Sequence, residues 1–136
     1  MHNSYIAVLA AAIASWVFGS VWYNVFAKAW LAALGNDPGQ IEAKRKVREV
    51  PWRPMAVSFL SEIVMATLLF FLLSGLGVED LMTAAVTGLG LGFGFMTLSG
   101  LVNNMFAGRS LMLSLIDGAH WIGVAVIQCI VLAALS

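Results

Sequence analysis

Charged residues are scarce in this sequence. Of its 136 residues only 10% are charged and 61% are hydrophobic, and seven Lys and Arg balance seven Asp and Glu. Soluble domains carry about 25% charged residues, so the composition excludes an ordinary soluble domain. Because the net charge is zero, we expect no nucleic-acid partner. The composition is typical of a membrane protein.

Cysteine is nearly absent as well. The single Cys129 lies in the last apolar segment and has no second cysteine with which to form an internal disulfide, so we expect it to be a small packing residue. The sequence also lacks a phosphate-binding loop, a nucleophile elbow and a metal-binding cysteine pair. We therefore expect no enzymatic activity, no cofactor and no metal.

Four apolar segments are long enough to cross a bilayer, whose hydrocarbon core of about 30 Å requires about 20 helical residues. They contain no Lys or Arg and cover residues 5–26, 55–76, 82–106 and 111–135. The first resembles a signal peptide, but no Lys or Arg precedes it, so we take it as span one. The sequence predicts an all-α membrane protein with one domain, residues 1–136, folded as a bundle of four transmembrane helices.

The positive charges are confined to two connections on the same side of such a bundle. Six of the seven basic residues lie in the loop of residues 27–54, and Arg109 lies in the turn between spans three and four. The turn between spans two and three carries only Glu79 and Asp80. The positive-inside rule then predicts a bacterial inner-membrane protein with its basic loop in the cytoplasm and both termini outside the cytoplasm.

The basic loop has local structure of its own. Residues 27–34 continue span one at the membrane interface, and Asp37 with Pro38 and Gln40 predicts the start of a helix that runs to about Val50. The basic side chains form either a solvated face or a contact with anionic lipid headgroups. The predicted headgroup contacts are Lys44, Arg45, Lys46, Arg48 and Arg53.

Small residues mark the faces on which membrane helices approach closely. By this criterion spans one, three and four pack tightly. Span two is bulky over residues 68–73, and we expect much of it to face lipid or a partner. The predicted inner face of span three carries a stripe of small and polar residues, Thr83, Thr87, Gly90, Gly94, Thr97 and Asn104. The predicted packing glycines of the whole bundle are Gly19, Gly90, Gly94, Gly118 and Gly123.

A weak internal repeat relates the ends of spans one and three. Gly19-Ser20-Val21 precedes Asn24-Val25-Phe26-Ala27, and Gly100-Leu101-Val102 precedes Asn104-Met105-Phe106-Ala107, with a gap of one residue. If the match is real, the chain consists of two helical hairpins related by an axis along the membrane normal, a 2+2 parallel repeat.

Ionisable residues within spans are costly and suggest function. Glu62 and Asp117 each lie about 10 Å inside the ends of their helices near the basic loop. With His120 they could relay protons, bind a cationic substrate or hold a metal, and His120 with small neighbours could ligate a tetrapyrrole. The structural alternative is that Glu62 or Asp117 hydrogen-bonds to Asn, Ser or Trp across the bundle and fixes helix register. The predicted cluster comprises Glu62, Asp117, His120, Asn24, Asn103 and Asn104.

Several stretches of the chain resemble a known family. Residues 18–23 (FGSVWY), 26–30 (FAKAW) and 103–109 (NNMFAGR), together with 117–121 (DGAHW), resemble domain of unknown function 1761, a family of small four-span membrane proteins. The resemblance covers nearly the whole chain and implies the four-span topology. It implies no activity, because none is assigned to the family, and the family pattern tends to have Asn at the position of Asp117.

Two functions remain open at this point. The sequence favours a non-enzymatic integral membrane protein that packs as an accessory or structural subunit in a larger membrane complex, for example a bioenergetic one, or as a homo-oligomer. The alternative is a small proton-coupled carrier, or a small-molecule-binding membrane protein, that uses Glu62, Asp117 and His120. The expected partners are the lipid bilayer and other membrane-protein subunits or further copies of the chain.

Overall fold

The structure, a computed structural model, describes residues 2–47 and 49–136, with side chains from residue 4 onward. All elements of these residues are helical: α1 (His2–Val25), α2 (Ala27–Ala33), α3 (Pro38–Lys46), α4 (Trp52–Leu76), α5 (Leu81–Leu91), α6 (Leu98–Phe106) and α7 (Leu111–Leu135). A π-helical turn, Gly92–Thr97, joins α5 to α6. Four helices, α1, α4, α5–α6 and α7, are long and apolar enough to cross a membrane. The four predicted spans are thus confirmed as helices, while the orientation of the termini and the 2+2 repeat stay predictions.

The helix in the basic loop begins as predicted. The Asp37 side chain accepts a hydrogen bond from the Gln40 N–H at 2.8 Å, and the Gln40 side chain accepts one from the Asp37 N–H at 2.9 Å. This reciprocal cap starts α3. The predicted end near Val50 is wrong, because Val47 already leaves the helix with an extended backbone (φ −81°, ψ 95°) and α3 ends at Lys46.

Short turns join the second, third and fourth spans. Gly77, with a φ of 66°, ends α4, and the Asp80 side chain caps α5 by accepting a hydrogen bond from the Thr83 N–H at 2.8 Å. Gly108, with a φ of 68°, and the capping residue Ser110 form the turn into α7. We name the end of the bundle that carries α2 and α3 the loop end, and the end that carries the turn from Gly77 to Asp80 the turn end.

The fourth span, α7, lies at the centre of the bundle. It packs against α1, α4 and all segments of the third span, and α4 packs mainly against α1. The main neighbour of the third span is α7. The core is built from small residues, including the fully buried Ala7, Ala11 and Ala66, with Cys129 among them. The bundle is therefore a three-helix unit of α1, α4 and α7, with the third span attached to α7.

The second span is more involved in the core than predicted. Ala66, Leu69 and Leu73 are buried on one face of α4, whereas Leu68 and Phe71 are exposed. Phe71 faces outward, as predicted. The prediction that Leu69 also faces outward is wrong. Six bulky residues in a row turn through more than one and a half turns of helix, so part of the row must face inward.

The predicted inner face of the third span is wrong in its first half. A Cβ added at Gly90 or Gly94 would meet nothing within 4 Å, whereas one added at Gly88 or Gly92 would lie 2.7 Å from the backbone of α7. Both pairs have the four-residue spacing of a helix face, so spacing alone does not choose between them. The pair that approaches α7 is Gly88 and Gly92, in line with the buried Ala84.

The π-helical turn explains the error. In an α-helix the residues that share a face are three or four apart, and a π-turn shifts this register by one residue. The inner face therefore continues from Gly92 to Thr97, five residues on, where the Thr97 hydroxyl donates to the Gly118 carbonyl at 2.9 Å. Counting back from Thr97 in steps of three and four gives Gly94 and Gly90, which miss the face.

The predicted glycines of α7 lie at helix contacts. A Cβ at Gly118 would lie 2.5 Å from the Thr97 side chain, and a Cβ at Gly123 would overlap the ring of Phe18. The first contact joins α7 to the third span and the second joins it to α1. These glycines let α7 approach helices on two sides.

Candidate functional site: two polar clusters inside the bundle

The structure places the predicted polar residues in two clusters instead of one. Glu62 lies with Gln128 in the first, and Asp117 lies in the second. Gln128 and Asp117 are 11 residues apart on α7, which corresponds to about 16 Å along the helix axis. In the described part of the chain, no three His, Cys, Asp or Glu side chains are grouped to hold a metal ion. The prediction of a single cluster is therefore wrong.

The first cluster joins α1, α4 and α7 near the middle of the bundle. Its side chains, Ser15, Glu62 and Gln128, are at most 1% exposed. The Ser15 hydroxyl lies 2.5 Å from Glu62 Oε2, and Gln128 Nε2 donates to Ser15 Oγ at 2.9 Å and to the Glu62 carbonyl at 3.1 Å. We name this group the central cluster. It connects three spans through hydrogen bonds that lie out of reach of water.

The central cluster has two hydrogen-bonding patterns. The Ser15 hydroxyl has one proton and two acceptors within reach, Glu62 Oε2 at 2.5 Å and the Ala12 carbonyl at 3.2 Å. If it donates to Ala12, the short contact with Glu62 requires a proton on the carboxyl group. If it donates to Glu62, the carboxylate accepts. The cluster can thus hold a carboxyl group in either protonation state.

The amide of Gln128 is oriented by its partners. Its Nε2 lies 3.1 Å from the Glu62 carbonyl oxygen, so an exchange of nitrogen and oxygen would place two acceptors against each other. In this orientation Gln128 Oε1 is buried and has no hydrogen-bond partner among the described residues. The central cluster therefore retains one unused acceptor.

The second cluster lies nearer the loop end and is built around Asp117. The Tyr23 hydroxyl donates to Asp117 Oδ1 at 2.7 Å, and Trp30 Nε1 donates to the same oxygen at 3.2 Å. Trp22 Nε1 donates to the Ile116 carbonyl at 3.1 Å on the same part of α7. We name Tyr23, Trp30 and Asp117 the loop-end cluster. Because Trp30 belongs to α2, this cluster ties the basic loop to the fourth span.

His120 lies beside the loop-end cluster and is 5% exposed. Its ring is parallel to that of Phe18 (centroids 6.0 Å apart) and packs against Tyr23 and Trp121 at 4.9 and 4.8 Å. Gly19 makes room for it, because a Cβ there would lie 2.8 Å from His120 Nε2. Its Nδ1 is buried and has no hydrogen-bond partner among the described residues. The histidine is thus held by aromatic packing.

The hypothesis of a tetrapyrrole on His120 does not fit these surroundings. It required free space beside Gly118 and Gly123. The side chain of Thr97 fills the first position, and the ring of Phe18 fills the second. The small residues admit neighbouring side chains of the bundle and leave no room for a large ring.

The three predicted asparagines differ in position. Asn24 is exposed and its side chain donates to the Ser20 carbonyl of its own helix at 2.8 Å, while Asn103 is exposed. Only Asn104 connects two spans, donating from Nδ2 to Ser114 Oγ at 3.0 Å. Placing Asn24 and Asn103 in a buried cluster was wrong, because neighbouring positions on a helix face different sides.

Sequence reasoning predicted Asn, Ser or Trp donors for Glu62 and Asp117 but did not identify which residues they are. In the structure the Ser and Trp donors are Ser15 for Glu62 and Trp30 for Asp117. Tyr23 carried no signal of its own, whereas Gln128 did. The available signal was helical spacing, since Gln128 lies eight residues after His120 and eleven after Asp117 on one helix.

The predicted headgroup contacts have different surroundings. Lys44 Nζ donates to Asn36 Oδ1 at 2.7 Å, and Lys46 forms an ion pair with Glu42 at 3.2 Å. Three basic residues remain: Arg53 stacks over Trp52 at 5.3 Å from the ring centroid, Arg45 lines a pocket beside α2, and Arg48 lies outside the described residues.

Comparison with known proteins gives one family. The sequence model described as "Protein of unknown function (DUF1761)" matches residues 6–133. No curated protein and no solved structure matches the chain. The match begins in α1 and ends in α7, so it covers all four spans and both polar clusters. The chain therefore belongs to the DUF1761 family, as its aromatic and asparagine-rich stretches predicted.

Proposed function

We propose that the protein is a non-enzymatic structural subunit of a larger membrane assembly, formed with other membrane proteins or with copies of itself. The observation that carries the proposal is the free face of the third span. Gly90 and Gly94 lie four residues apart on this face, and a Cβ added at either would meet no atom of another helix within 4 Å. Two small residues at this spacing let a second helix approach closely in lipid. The third span thus offers a contact surface that its own bundle does not use.

The polar clusters support a structural role. Asp117 Oδ1 already accepts two hydrogen bonds, and Ser15, Glu62 and Gln128 bond to one another across three spans. Groups that are occupied in this way fix the register of the helices. A bundle with fixed register presents a rigid outer face to a partner.

The test is the mass of the particle extracted in mild detergent, measured by native mass spectrometry. We expect the parent chain to remain associated and Gly90→Leu to dissociate, because the new side chain keeps the partner helix away. Gly75→Leu is the matched control. A Cβ added at Gly75 would also meet nothing within 4 Å, but Gly75 lies on the second span. A parent chain that is strictly monomeric and free of partners would contradict the proposal.

The second candidate is a small proton-coupled carrier or a small-molecule-binding membrane protein that uses Glu62, Asp117 and His120. The two hydrogen-bonding patterns of Ser15 and Glu62 favour it, because a carrier of this kind must hold and release a proton inside the membrane. Four spans enclose little volume, so a carrier would also need a dimer. Proton flux in proteoliposomes tests it: flux that is unchanged in Glu62→Gln and in Asp117→Asn would remove this candidate.

We infer from the positive-inside rule that the protein lies in a bacterial inner membrane with the basic loop in the cytoplasm, against anionic lipid headgroups. Single cysteines introduced near Arg45 and near Glu79 of a Cys129→Ala chain should react with impermeant reagents from opposite sides, the first from the cytoplasm. Reaction of both from one side would contradict the four-span topology.

A further inference from the structure

A pocket of about 590 Å³ lies beside α3 at the loop end, outside both polar clusters. The pocket is lined by Lys28 of α2 and by five residues of α3, Pro38, Ile41, Glu42, Arg45 and Lys46. Asn36 holds the two helices together, since its Nδ2 donates to the Leu31 carbonyl and its Oδ1 accepts from Lys44. The pocket is thus formed by folded elements with a fixed connection.

The charges of the pocket favour an anion. Three of its side chains are basic and one, Glu42, is acidic. Glu42 pairs with Lys46 at 3.2 Å, and in the described part of the chain no carboxylate lies within ion-pair distance of Lys28 or Arg45. An arginine fork with a neighbouring lysine is a common arrangement for binding a phosphate group. Lys28 and Arg45 therefore supply two positive charges that the chain itself leaves uncompensated.

The position of the pocket relative to the bilayer indicates whether a lipid phosphate or a soluble phosphate binds there. Lys28 follows the end of α1 by three residues, about 5 Å along a helix axis. The Trp30 bond to Asp117 and the bond from the Ser110 hydroxyl to the Ala33 carbonyl hold α2 on the end of the bundle. In a bilayer spanned by α1, this depth is that of the headgroups.

Apolar side chains line the pocket, and others are exposed at the end of the helix that precedes α2 in the chain. Pro38 and Ile41 line the pocket, and Val21 and Val25 on the last turns of α1 are 57% and 70% exposed. A free inorganic phosphate would gain nothing from this surface, whereas the glycerol and acyl chains of a lipid would. The combination of a basic pocket and an apolar helix end therefore favours a phospholipid.

We propose that the pocket between α2 and α3 is a binding site for the phosphate headgroup of an anionic phospholipid, with Lys28 and Arg45 as its ligands. The site rests on the inferred placement of the loop at the bilayer surface and is independent of the proposed assembly. It differs from diffuse attraction of the whole basic loop because it depends on two particular side chains.

The test is a lipid titration followed by native mass spectrometry of the purified chain in detergent. Phosphatidylglycerol and phosphatidylcholine are added separately, and the retained lipid is counted. We expect Lys28→Gln combined with Arg45→Gln to weaken phosphatidylglycerol binding about thirtyfold, given about 1 kcal/mol for each of the two basic residues near anionic lipid. The control is Arg109→Gln, which removes one positive charge outside the pocket and should weaken binding less than Lys28→Gln does alone.

Three outcomes would overturn the proposal. Equal weakening by Arg109→Gln and by Lys28→Gln would mean diffuse attraction. No preference for phosphatidylglycerol over phosphatidylcholine in the parent chain would mean that no anionic site exists. Inorganic phosphate is added in a third titration. A bound phosphate ion that phosphatidylglycerol does not displace would mean that the pocket binds a soluble ligand. The same spectra report the oligomeric state. A monomer that still retains phosphatidylglycerol would contradict the proposed assembly but not the lipid site.

Discussion

The third and fourth spans are of similar length and apolar character, but their surroundings differ. The fourth span, α7, contacts each of the other three and has ten buried residues, including His120 and Gln128. The third span has α7 as its main neighbour and buries only Ala84, Gly88 and Gly92. One helix organises the bundle, and the other is attached to it along one side.

The two spans are also held by different interactions. In the central cluster the buried Gln128 side chain of α7 donates hydrogen bonds to the Ser15 hydroxyl of α1 and to the Glu62 backbone carbonyl of α4. The first half of the third span meets α7 through glycines that bring the backbones together, and only its second half adds hydrogen bonds, from Thr97 and Asn104. In lipid both hydrogen bonds and close glycine contacts are needed, because apolar side chains gain nothing by moving from lipid into an apolar helix contact. The comparison predicts that each half of the bundle is sensitive to a different kind of substitution.

The largest effect is expected from Gly88→Leu. A Cβ at this position would lie 2.7 Å from the Ala125 carbonyl oxygen, and this backbone cannot move aside as a side chain can. We expect a loss of about 3 kcal/mol of stability, the upper end for overpacking, with the third span displaced from α7. Unfolding in a detergent that holds the monomer measures the loss.

Gly90→Leu is the control for this prediction. It places the same side chain two residues away, where nothing lies within 4 Å. Its monomer should be as stable as the parent. If Gly90→Leu destabilised the monomer and Gly88→Leu did not, the inner and outer faces of the third span would be reversed.

A smaller effect is expected in the three-helix unit from Ser15→Ala. The change removes the hydroxyl that bonds to Glu62 and accepts from Gln128, and it leaves those two buried groups partly unpaired. Hydrogen bonds between membrane helices contribute about 0.6 to 1.7 kcal/mol, so we expect a loss of about 1.5 kcal/mol. Ser20→Ala is the control on the same helix, because Ser20 is exposed and bonds only to the Trp16 carbonyl. Equal losses in the two variants would mean that the central cluster does not hold the spans together.

The loop-end cluster tests whether α7 also positions the basic loop. Asp117→Ala removes the acceptor shared by Tyr23 and Trp30, and we expect a loss of about 1 kcal/mol. Hydrogen exchange followed by mass spectrometry should show faster exchange in α2 with little change around Gln128. Asp117→Asn keeps an acceptor oxygen and should leave exchange in α2 close to that of the parent. Faster exchange of α2 in Asp117→Asn as well as in Asp117→Ala would mean that the carboxylate charge, rather than the acceptor oxygen, holds α2 in place.

The sequence was sufficient for the spans and insufficient for their faces. Length and hydropathy predict a membrane helix because the bilayer requires about 20 apolar residues, and the boundaries of the fourth span agree with α7. The face of the third span depended on a π-helical turn at Gly92–Thr97, and the sequence pattern follows the α-helical period on both sides of such a turn. The capping box of Asp37 was predictable because its partners are three residues apart.

The polar clusters were only half predictable for a related reason. Glu62 and Asp117 are visible as ionisable residues in apolar segments, but their partners are uncharged and come from other helices. Ser15 and Glu62 are 47 residues apart, and Tyr23 and Asp117 are 94 residues apart. Pairing them requires the relative depth and rotation of three helices, which no local pattern contains.

The smallest expected effect concerns the cap that starts the third span. Hydrogen bonds from the Thr83 side chain and backbone hold the pKa of Asp80 below its ordinary value near 3.8. Because the folded pKa is lowered, this contribution to stability is fully present above the ordinary value and is lost as the pH falls through the folded value. Asp80 is exposed, so solvent screens the effect and the change in stability should be slight.

The measurement is hydrogen exchange in the first turn of α5 between about pH 6 and about pH 3, corrected for the intrinsic pH dependence of exchange. The parent chain should lose protection at the acid end, whereas Asp80→Asn, which can still cap the helix but does not titrate, should keep the same protection throughout. The difference between the two chains isolates Asp80 from the other carboxyl groups. If both chains lost protection equally, the acid sensitivity would arise elsewhere, and the third span would depend on its contacts with α7 and not on its cap.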